Sequence, residues 1–245
     1  MRPRIAVPVP HSTNAKYSGR AFEQFERAVE LAGGEAVKIP TDQPAEALAR
    51  LIQSCDGVLL PGSPADVDPA HYGQARHGKT AAADTRRDDL DRLLLDDAYR
   101  QHKPVFGVCY GLQSLNVYRR GSLVQHIESR VKHDDAKKKF AHEVHVEAGS
   151  QLAKIIGEAG AGLDTLKVNS SHHQSADAPG DDLQIVARSA GDEVVEALEG
   201  TDPAHFVLAV QWHPERSVEL DEPSRVLFRT FVQAAKARRE ELAAK

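Results

Sequence analysis

Two hydrophobic patterns alternate along the first half of the chain. Short apolar runs bounded by proline, glycine or aspartate are typical of β-strands, and between them apolar residues recur every three or four positions, which is typical of helices. The strand-like runs are residues 4–10, 35–39, 56–61 and 104–108. The helix-like segments are residues 19–34, 44–53, 85–98 and 111–119, with Thr85 as the expected cap of the third. This alternation predicts parallel βαβ units in one sheet.

Shorter strand-like runs dominate the second half. Glycine, proline and aspartate separate them, so we expect them to extend or flank the same sheet. They are residues 142–147, 166–170, 183–189, 193–199 and 206–211. A final helix begins at Pro223, where apolar residues again recur on one face. The sequence contains no internal repeat and no low-complexity linker, which favours a single domain over residues 1–245.

Composition and charge exclude several classes of function. Hydrophobic residues make up 41% of the chain, and the formal net charge of −5 gives no sign of a surface for nucleic acid. No apolar run approaches the roughly 20 residues that cross a bilayer, and the N-terminus lacks the apolar core of a signal peptide. With Cys55 and Cys109 as its two cysteines, the chain cannot build a disulfide framework. We therefore predict a cytoplasmic protein without a nucleic-acid or membrane partner.

The first candidate for chemistry is Cys109, in the stretch "GVCYG" between a predicted strand and a predicted helix. That setting is typical of a nucleophile elbow, in which a sharp turn holds the reactive atom above the edge of the sheet. Glycine two positions before and after the nucleophile relieves crowding in such a turn, and the helix N-terminus favours a thiolate. The spacing alone leaves a buried structural cysteine as an equal alternative.

A base for Cys109 is found much later, where an apolar strand runs into His213-Pro214-Glu215. Residues two apart in an extended chain point to the same side, so the imidazole and the carboxylate could meet. We expect His213 to take the thiol proton and Glu215 to hold the ring tautomer. Both features follow predicted strands, at the edge where open α/β sheets build their sites.

Acyl transfer also needs hydrogen-bond donors for a developing oxyanion. The main-chain N–H of Tyr110, directly after Cys109, is one candidate. The turn at Gly62 and Ser63, after the third predicted strand, supplies the other. An ordinary glycine–proline turn has the same sequence and remains the alternative.

Twelve histidines raise the question of a metal site. The pairs considered are His142 with His145 and His172 with His173. Neither pair has a nearby carboxylate or cysteine at a recognised zinc spacing, and strand alternation places His142 and His145 on opposite faces. We therefore expect no metal and no cofactor.

Four motifs occur together in this chain, and they are "PGSPADVDPAHYG", "GVCYGLQ", "VNSSHHQ" and "VQWHPE". Their order and spacing resemble the class I glutamine amidotransferase superfamily, most closely its gamma-glutamyl-gamma-aminobutyrate hydrolase branch, over nearly the whole chain. The resemblance implies a flavodoxin-like α/β fold, with a mostly parallel central sheet and helices on both faces. It also implies a hydrolase that cleaves gamma-glutamyl amides through a gamma-glutamyl thioester, with Cys109, His213 and Glu215 as its triad.

The same resemblance assigns the substrate contacts. Gln113 stands at the family's C-x-G-x-Q position and would contact the glutamyl group. Ser170 and His172 match an S-x-H loop that would lie near the alpha-amino and carboxylate groups of the substrate. His173 and Gln174, which follow, would line the pocket.

Three positions differ from the pattern of the branch. Tyr110 replaces an arginine, Arg120 replaces a glycine, and His126 replaces an aspartate. Arg120 and His126, if they lie close to the site, would recognise a different leaving group, so the sequence leaves the amine half of this small-molecule substrate open. The alternative function is a glutaminase subunit that supplies ammonia to a separate synthase. A synthase partner and a homodimer both stay open.

Overall fold

Strands and helices alternate in the first half of the fold, and strands dominate the second half. The computed structural model describes residues 1–136, 138–160 and 165–244. The strands are β1 (Arg4–Pro8), β2 (Glu35–Ile39), β3 (Gly57–Leu60), β4 (Val105–Val108), β5 (Leu123–Val124), β6 (His142–Val146), β7 (Thr165–Val168), β8 (Ser175–Ala176), β9 (Leu183–Ser189), β10 (Val195–Gly200) and β11 (Val207–Val210). The helices are α1 (Ala15–Leu31), α2 (Ala45–Gln53), α3 (Thr85–Gln101), α4 (Tyr110–Tyr118), α5 (Gln151–Glu158) and α6 (Glu222–Ala243). Short 3-10 turns lie at Pro69–Tyr72 and Pro214–Arg216.

Nine of the described strands form one sheet, in the spatial order β2-β1-β3-β4-β11-β10-β9-β6-β7. The strands from β2 to β11 pair in parallel, and the strands from β10 to β7 are added beyond β11 in antiparallel pairing. Strands β5 and β8 form a separate antiparallel ribbon. The predicted α/β fold is therefore confirmed, and the strand-like runs of the second half extend the sheet.

Helices cover both faces of the sheet, because adjacent strand residues point to opposite sides. On β3, Leu59 packs in the core with α1, α5 and α6, whereas Val58 and Leu60 pack in the core with α2, α3 and α4. Phe106 of β4 and Phe228 of α6 meet edge to face, with ring centroids 5.3 Å apart. None of the described helices is long and apolar enough to span a membrane.

Some local features differ from the sequence expectations. The sequence analysis missed α5, although Leu152, Ile155 and Ile156 recur at helical spacing and form its buried face. The Ser150 hydroxyl starts this helix by accepting a hydrogen bond from Ala153 N at 3.0 Å. Helix α3 is capped by Asp84 and not by Thr85, because the Asp84 carboxylate accepts from Arg87 N at 3.3 Å. Strands β5 and β8 have two residues each, too few for an alternating pattern.

The C-terminal ends of β3, β4 and β11 lie side by side in the parallel part of the sheet. Leu60 pairs with Gly107, and Val108 pairs with Val210. The loops after these strands therefore meet at one edge of the sheet, where open α/β sheets place their ligands.

Candidate active site

Cys109 forms a tight turn between β4 and α4. Its φ of 54° and ψ of −107° are rarely adopted by residues with a side chain. A Cβ at Gly107 would lie 2.8 Å from the carbonyl oxygen of Gly111, and a Cβ at Gly111 would overlap the carbonyl oxygen of Leu60. Both glycines are therefore needed for the turn to close, as the spacing of the sequence predicts.

His213 and Glu215 follow β11 and lie beside this turn. The Nδ1 atom of His213 is 2.8 Å from Glu215 Oε1, and both side chains are buried. With Nδ1 donating to the carboxylate, Nε2 is left to accept a proton. Burial lowers the pKa of His213, but the charges of Glu215 and Cys109 outweigh burial and raise this pKa to about 9.

Gly62, in the loop after β3, lies between the cysteine and the histidine. A Cβ at this position would be 3.1 Å from His213 Cε1 and 3.6 Å from Cys109 Cβ. Within the described part of the chain, the main-chain N–H groups of Gly62, Ser63 and Tyr110 donate no hydrogen bond. They are available to an incoming oxyanion, and that role stays a prediction.

Asn169, which the sequence reasoning missed, holds the main chain of His213. Its Nδ2 donates to His213 O at 2.8 Å, and its Oδ1 accepts from His213 N at 2.9 Å. Asn169 lies inside the motif "VNSSHHQ", which could have pointed to it, but the sequence pattern assigned no role to this residue. The two bonds fix the candidate base to the loop between β7 and β8.

That loop, residues 169–174, also carries predicted substrate-binding residues. The Ser170 hydroxyl is buried and donates to a main-chain carbonyl, and the buried His172 ring donates through Nδ1 to Gln174 O at 2.9 Å. His173 is partly exposed, and a hydrogen bond between its Nε2 and Asp66 Oδ1, at 3.1 Å, raises its pKa. The side chains of Ser170 and His172 thus have internal partners, and substrate contact by this loop stays a prediction.

Gln113 lies one turn after Cys109 on α4 and is buried. Its Nε2 donates to Gln174 O and to Gln211 Oε1, both at 3.2 Å. The side chain thus connects α4 with the loop at 169–174 and with the end of β11. Its predicted contact with the glutamyl group stays a prediction.

A sequence model of the Peptidase C26 family matches residues 7–215. The chain belongs to the Peptidase C26 family. It is 34% identical over 224 residues to the gamma-glutamyl-gamma-aminobutyrate hydrolase of Escherichia coli O157:H7, a match that covers 86% of this chain and 85% of that protein. It is 28% identical over 282 residues to a glutamine amidotransferase-like protein of Rickettsia prowazekii, with 96% of each chain covered. The predicted resemblance is confirmed.

A solved structure agrees with the fold of this Peptidase C26 chain. The protein comes from Thermoplasma acidophilum and is provisionally described as one of the subunits of a GMP synthase. Its TM-score is 0.66 at 20% identity, with 99% of this chain and 98% of that chain covered. At that identity the similarity shows the fold alone.

Tyr110, where the related branch has arginine, points into the protein. Its hydroxyl donates a hydrogen bond to the Asp88 carboxylate. Burial raises the pKa of Asp88 to about 6. The Arg87 guanidinium lies 5.1 Å from the centre of the tyrosine ring. In this Peptidase C26 chain, Tyr110 therefore packs behind the elbow.

Arg87 is fully buried and links the loops that follow β1 and β3. Its guanidinium binds Asp91 Oδ1 at 2.6 Å, Pro10 O at 3.0 Å and Pro61 O at 2.9 Å. The ends of β1 and β3 are thereby fixed to α3. Sequence reasoning missed this arginine, because a charged residue in a helix is usually solvated.

Arg120 and His126, the other two residues that differ from the branch pattern, lie at different distances from the loop at 169–174. Arg120 is largely exposed, pairs with Asp181 and lines a cavity on another side of α4. His126 is 2.9 Å from Lys79 Nζ through Nε2 and 3.3 Å from His173 through Nδ1. Only the histidine of this pair contacts that loop within the described residues.

A cavity of about 170 Å³ opens beside His213. Tyr17, Arg20 and Arg216 contribute to its lining. Burial raises the pKa of Tyr17 to about 12, so its hydroxyl stays neutral. Arg20 and Arg216 bring positive charge to this cavity, and Glu215, which lies 3.5 Å from Arg216 Nε, brings negative charge.

The structure separates the histidine pairs considered for a metal. His145 lies exposed on the opposite face of β6 from His142, as strand alternation predicts. However, His142 and His172 meet His133 and the buried carboxylate of Glu196. No carboxylate stands at a recognised zinc spacing from these histidines in the sequence, but β10 brings Glu196 to them from a distant part of the chain.

Proposed function

We propose that the chain is a cytoplasmic cysteine hydrolase of gamma-glutamyl amides, organised as one domain over residues 1–245. The observation that carries the proposal is the 2.8 Å contact between His213 and Glu215, beside Cys109 in its strained turn. Membership of the Peptidase C26 family and the similarity to a gamma-glutamyl-gamma-aminobutyrate hydrolase support the substrate class.

The reaction uses one nucleophile and one base in two steps. The Cys109 sulfur, its proton transferred to His213, attacks the carbonyl carbon of the gamma-glutamyl amide. The main-chain N–H of Tyr110 and one from Gly62 or Ser63 stabilise the oxyanion. The C–N bond then breaks, His213 gives its proton to the leaving amine, and a gamma-glutamyl thioester remains. Water then loses a proton to His213 and attacks the thioester, and the released thiolate recovers that proton as glutamate leaves.

Glu215 orients the ring of His213 and stabilises its charged form without exchanging protons with the substrate. Gln113, together with the loop that carries Ser170, His172 and His173, forms the wall against which the glutamyl group binds. The hydrogen bond from Gln113 to Gln174 O supports a shared wall, because it connects α4 with that loop.

The amine half of the substrate occupies the cavity beside His213. The Arg216 guanidinium pairs with Glu215 at 3.5 Å, so Arg20 is the side chain of this lining that favours an amine with an anionic group. Gamma-glutamyl-gamma-aminobutyrate has such a group, and an amide with a neutral alkyl amine does not.

The test is release of glutamate from gamma-glutamyl-gamma-aminobutyrate by the purified chain. We expect Cys109→Ala to abolish turnover while the protein still unfolds cooperatively, because the alanine removes the nucleophile and keeps the turn. The matched control is Cys55→Ala, a buried cysteine in the core with α2 and α3, which retains activity. Undiminished turnover by Cys109→Ala would contradict the proposal.

The same assay separates the hydrolase from the alternative glutaminase subunit. A hydrolase turns over gamma-glutamyl amides unaided. A glutaminase subunit hydrolyses glutamine, and its activity in isolation is nearly silent until the synthase is added. Silence of the isolated chain toward gamma-glutamyl-gamma-aminobutyrate and toward gamma-glutamyl amides of other amines would favour the glutaminase alternative.

A further inference from the structure

A buried group of three histidines and one glutamate lies where two loops meet the antiparallel part of the sheet. It is named here the Glu196 cluster and consists of His133, His142, His172 and Glu196. One side-chain nitrogen or oxygen of each points to a common centre, and these four atoms lie within 4.8 Å of one another. Glu196 Oε1 is 3.3 Å from His133 Nδ1, 3.3 Å from His142 Nε2 and 3.5 Å from His172 Nε2. None of these groups exchanges a proton or bond in the proposed hydrolysis.

The second nitrogen of each ring in the Glu196 cluster faces a hydrogen-bond acceptor. His133 Nε2 is 3.0 Å from the Asp192 carboxylate. His172 Nδ1 is 2.9 Å from Gln174 O, and His142 Nδ1 is 3.3 Å from a main-chain carbonyl of its own strand. An acceptor at these places requires an N–H on the outer nitrogen, so the inner nitrogen of each neutral ring carries a lone pair. Outer acceptors of this kind are the usual companions of metal-binding histidines.

Four lone pairs therefore point at one another in the protein interior. The side chain of Glu196 is 0% exposed, and none of the three histidine side chains exceeds 7%. Within the described residues, neither Glu196 oxygen and none of the inner nitrogens has a hydrogen-bond partner. Buried polar atoms without partners are costly, and like lone pairs repel, so a cation at the centre would remove both costs.

The spacing of the cluster fits a tetrahedral ion. Zinc binds imidazole nitrogen and carboxylate oxygen at about 2.0–2.1 Å, which places neighbouring ligand atoms about 3.3–3.4 Å apart. The three distances from Glu196 Oε1 lie at or close to this value. The wider separations among the rings would close by small side-chain rotations. We propose that the Glu196 cluster binds one Zn²⁺ ion through His133 Nδ1, His142 Nε2, His172 Nε2 and Glu196 Oε1.

The site has a structural role, because four protein ligands leave no open position for substrate. It joins the starts of β6 and β10 to the loop at 169–174. His172 lies three residues after Asn169, whose side chain holds the main chain of His213. An ion at the Glu196 cluster therefore fixes the loop that positions the candidate base.

The test measures metal directly on the untagged full chain. Protein from zinc-supplemented cultures is analysed by plasma mass spectrometry, stripped with a chelator and titrated with Zn²⁺ by calorimetry. Co²⁺, as a coloured substitute, reports tetrahedral coordination by its visible absorption. We expect about one zinc ion per chain and a higher unfolding temperature with zinc than without it.

Variants assign the ion to its ligands. We expect His142→Gln and Glu196→Gln to bind Zn²⁺ at least about tenfold more weakly. His145→Gln, on the opposite face of the same strand, and Cys109→Ala bind it as the wild type does. Loss of the ion in Cys109→Ala would place it at the thiol and overturn the proposal. Absence of stoichiometric zinc and of tetrahedral Co²⁺ absorption in the wild type would show that protons alone fill the cluster, and would overturn the proposal. The wild-type measurement tests the proposal even if a variant fails to fold.

Discussion

Replacing Glu215 by glutamine tests how the charge beside His213 supports catalysis. The side chain keeps its size, but the buried carboxylate 2.8 Å from Nδ1 becomes a neutral amide. The rise of the His213 pKa from 6.5 to about 9 corresponds to about 3 kcal/mol in favour of the charged ring, shared between Glu215 and Cys109. Because a charge-assisted hydrogen bond is worth about 1.5–3 kcal/mol, we expect kcat/KM to fall roughly 10- to 100-fold.

The same substitution changes how stability depends on pH. The folded-state pKa of His213 lies above its ordinary value, so the charged ring stabilises the folded protein fully below pH 6.5, and this contribution is lost as pH rises through about 9. Glu215→Gln weakens that contribution. The difference in unfolding free energy between wild type and variant is therefore expected to be largest below pH 6.5 and to shrink above pH 9.

Three measurements check this reasoning. They are the kinetics of amide hydrolysis, urea unfolding across the pH range, and an NMR titration of the His213 ring, assigned by the signal that His213→Gln removes. The control is Glu219→Gln, whose carboxylate pairs at 3.0 Å with the exposed Arg27. A His213 ring that still titrates near pH 9 in Glu215→Gln, or a variant that keeps the kcat/KM of the wild type, would refute this role of the Glu215 charge.

Two further substitutions test the support beneath the site. Gly111→Ala drives a methyl group into the Leu60 carbonyl oxygen, so we expect this variant to lose cooperative thermal unfolding. The control is Gly19→Ala on α1, which has open space around it and should raise the unfolding temperature. A stable Gly111→Ala protein would contradict the close packing proposed for the turn at Cys109. Arg87→Met leaves the buried Asp91 without its cation, so urea unfolding should show a loss of about 3–5 kcal/mol. A loss under about 1 kcal/mol would mean that water replaces the guanidinium.

The placement of the elbow and of the His-Pro-Glu turn could be predicted from the sequence because each depends on local pattern. Apolar runs mark the strands, and parallel pairing then brings the ends of β3, β4 and β11 to one edge. The glycines around Cys109 are required by contacts within the same turn and with the neighbouring strand end. These features need no knowledge of the path of the long loops.

The supports of the site could not be predicted in this way, because their partners are far apart in sequence. Arg87 has the local pattern of a solvated helix residue, yet it binds carbonyls 77 and 26 positions away. Asn169 reaches His213 across 44 positions. Glu196 has no spacing that connects it with His133, since the antiparallel strands decide which faces meet. Whether a charged side chain is buried depends on how the helices pack against the sheet, and hydrophobic periodicity does not report this.

The position of β11 has a consequence for synthesis of the chain. It is the last of the described strands to emerge from the ribosome, yet it lies between β4 and β10. Until β11 arrives, β4 and β10 each expose an unpaired edge. About 100 residues separate the end of β4 from the end of β11, and their translation takes roughly 5–20 s. The segment that delivers His213 also closes the sheet. A nascent chain stalled before residue 207 is therefore the species expected to aggregate, or to need a chaperone.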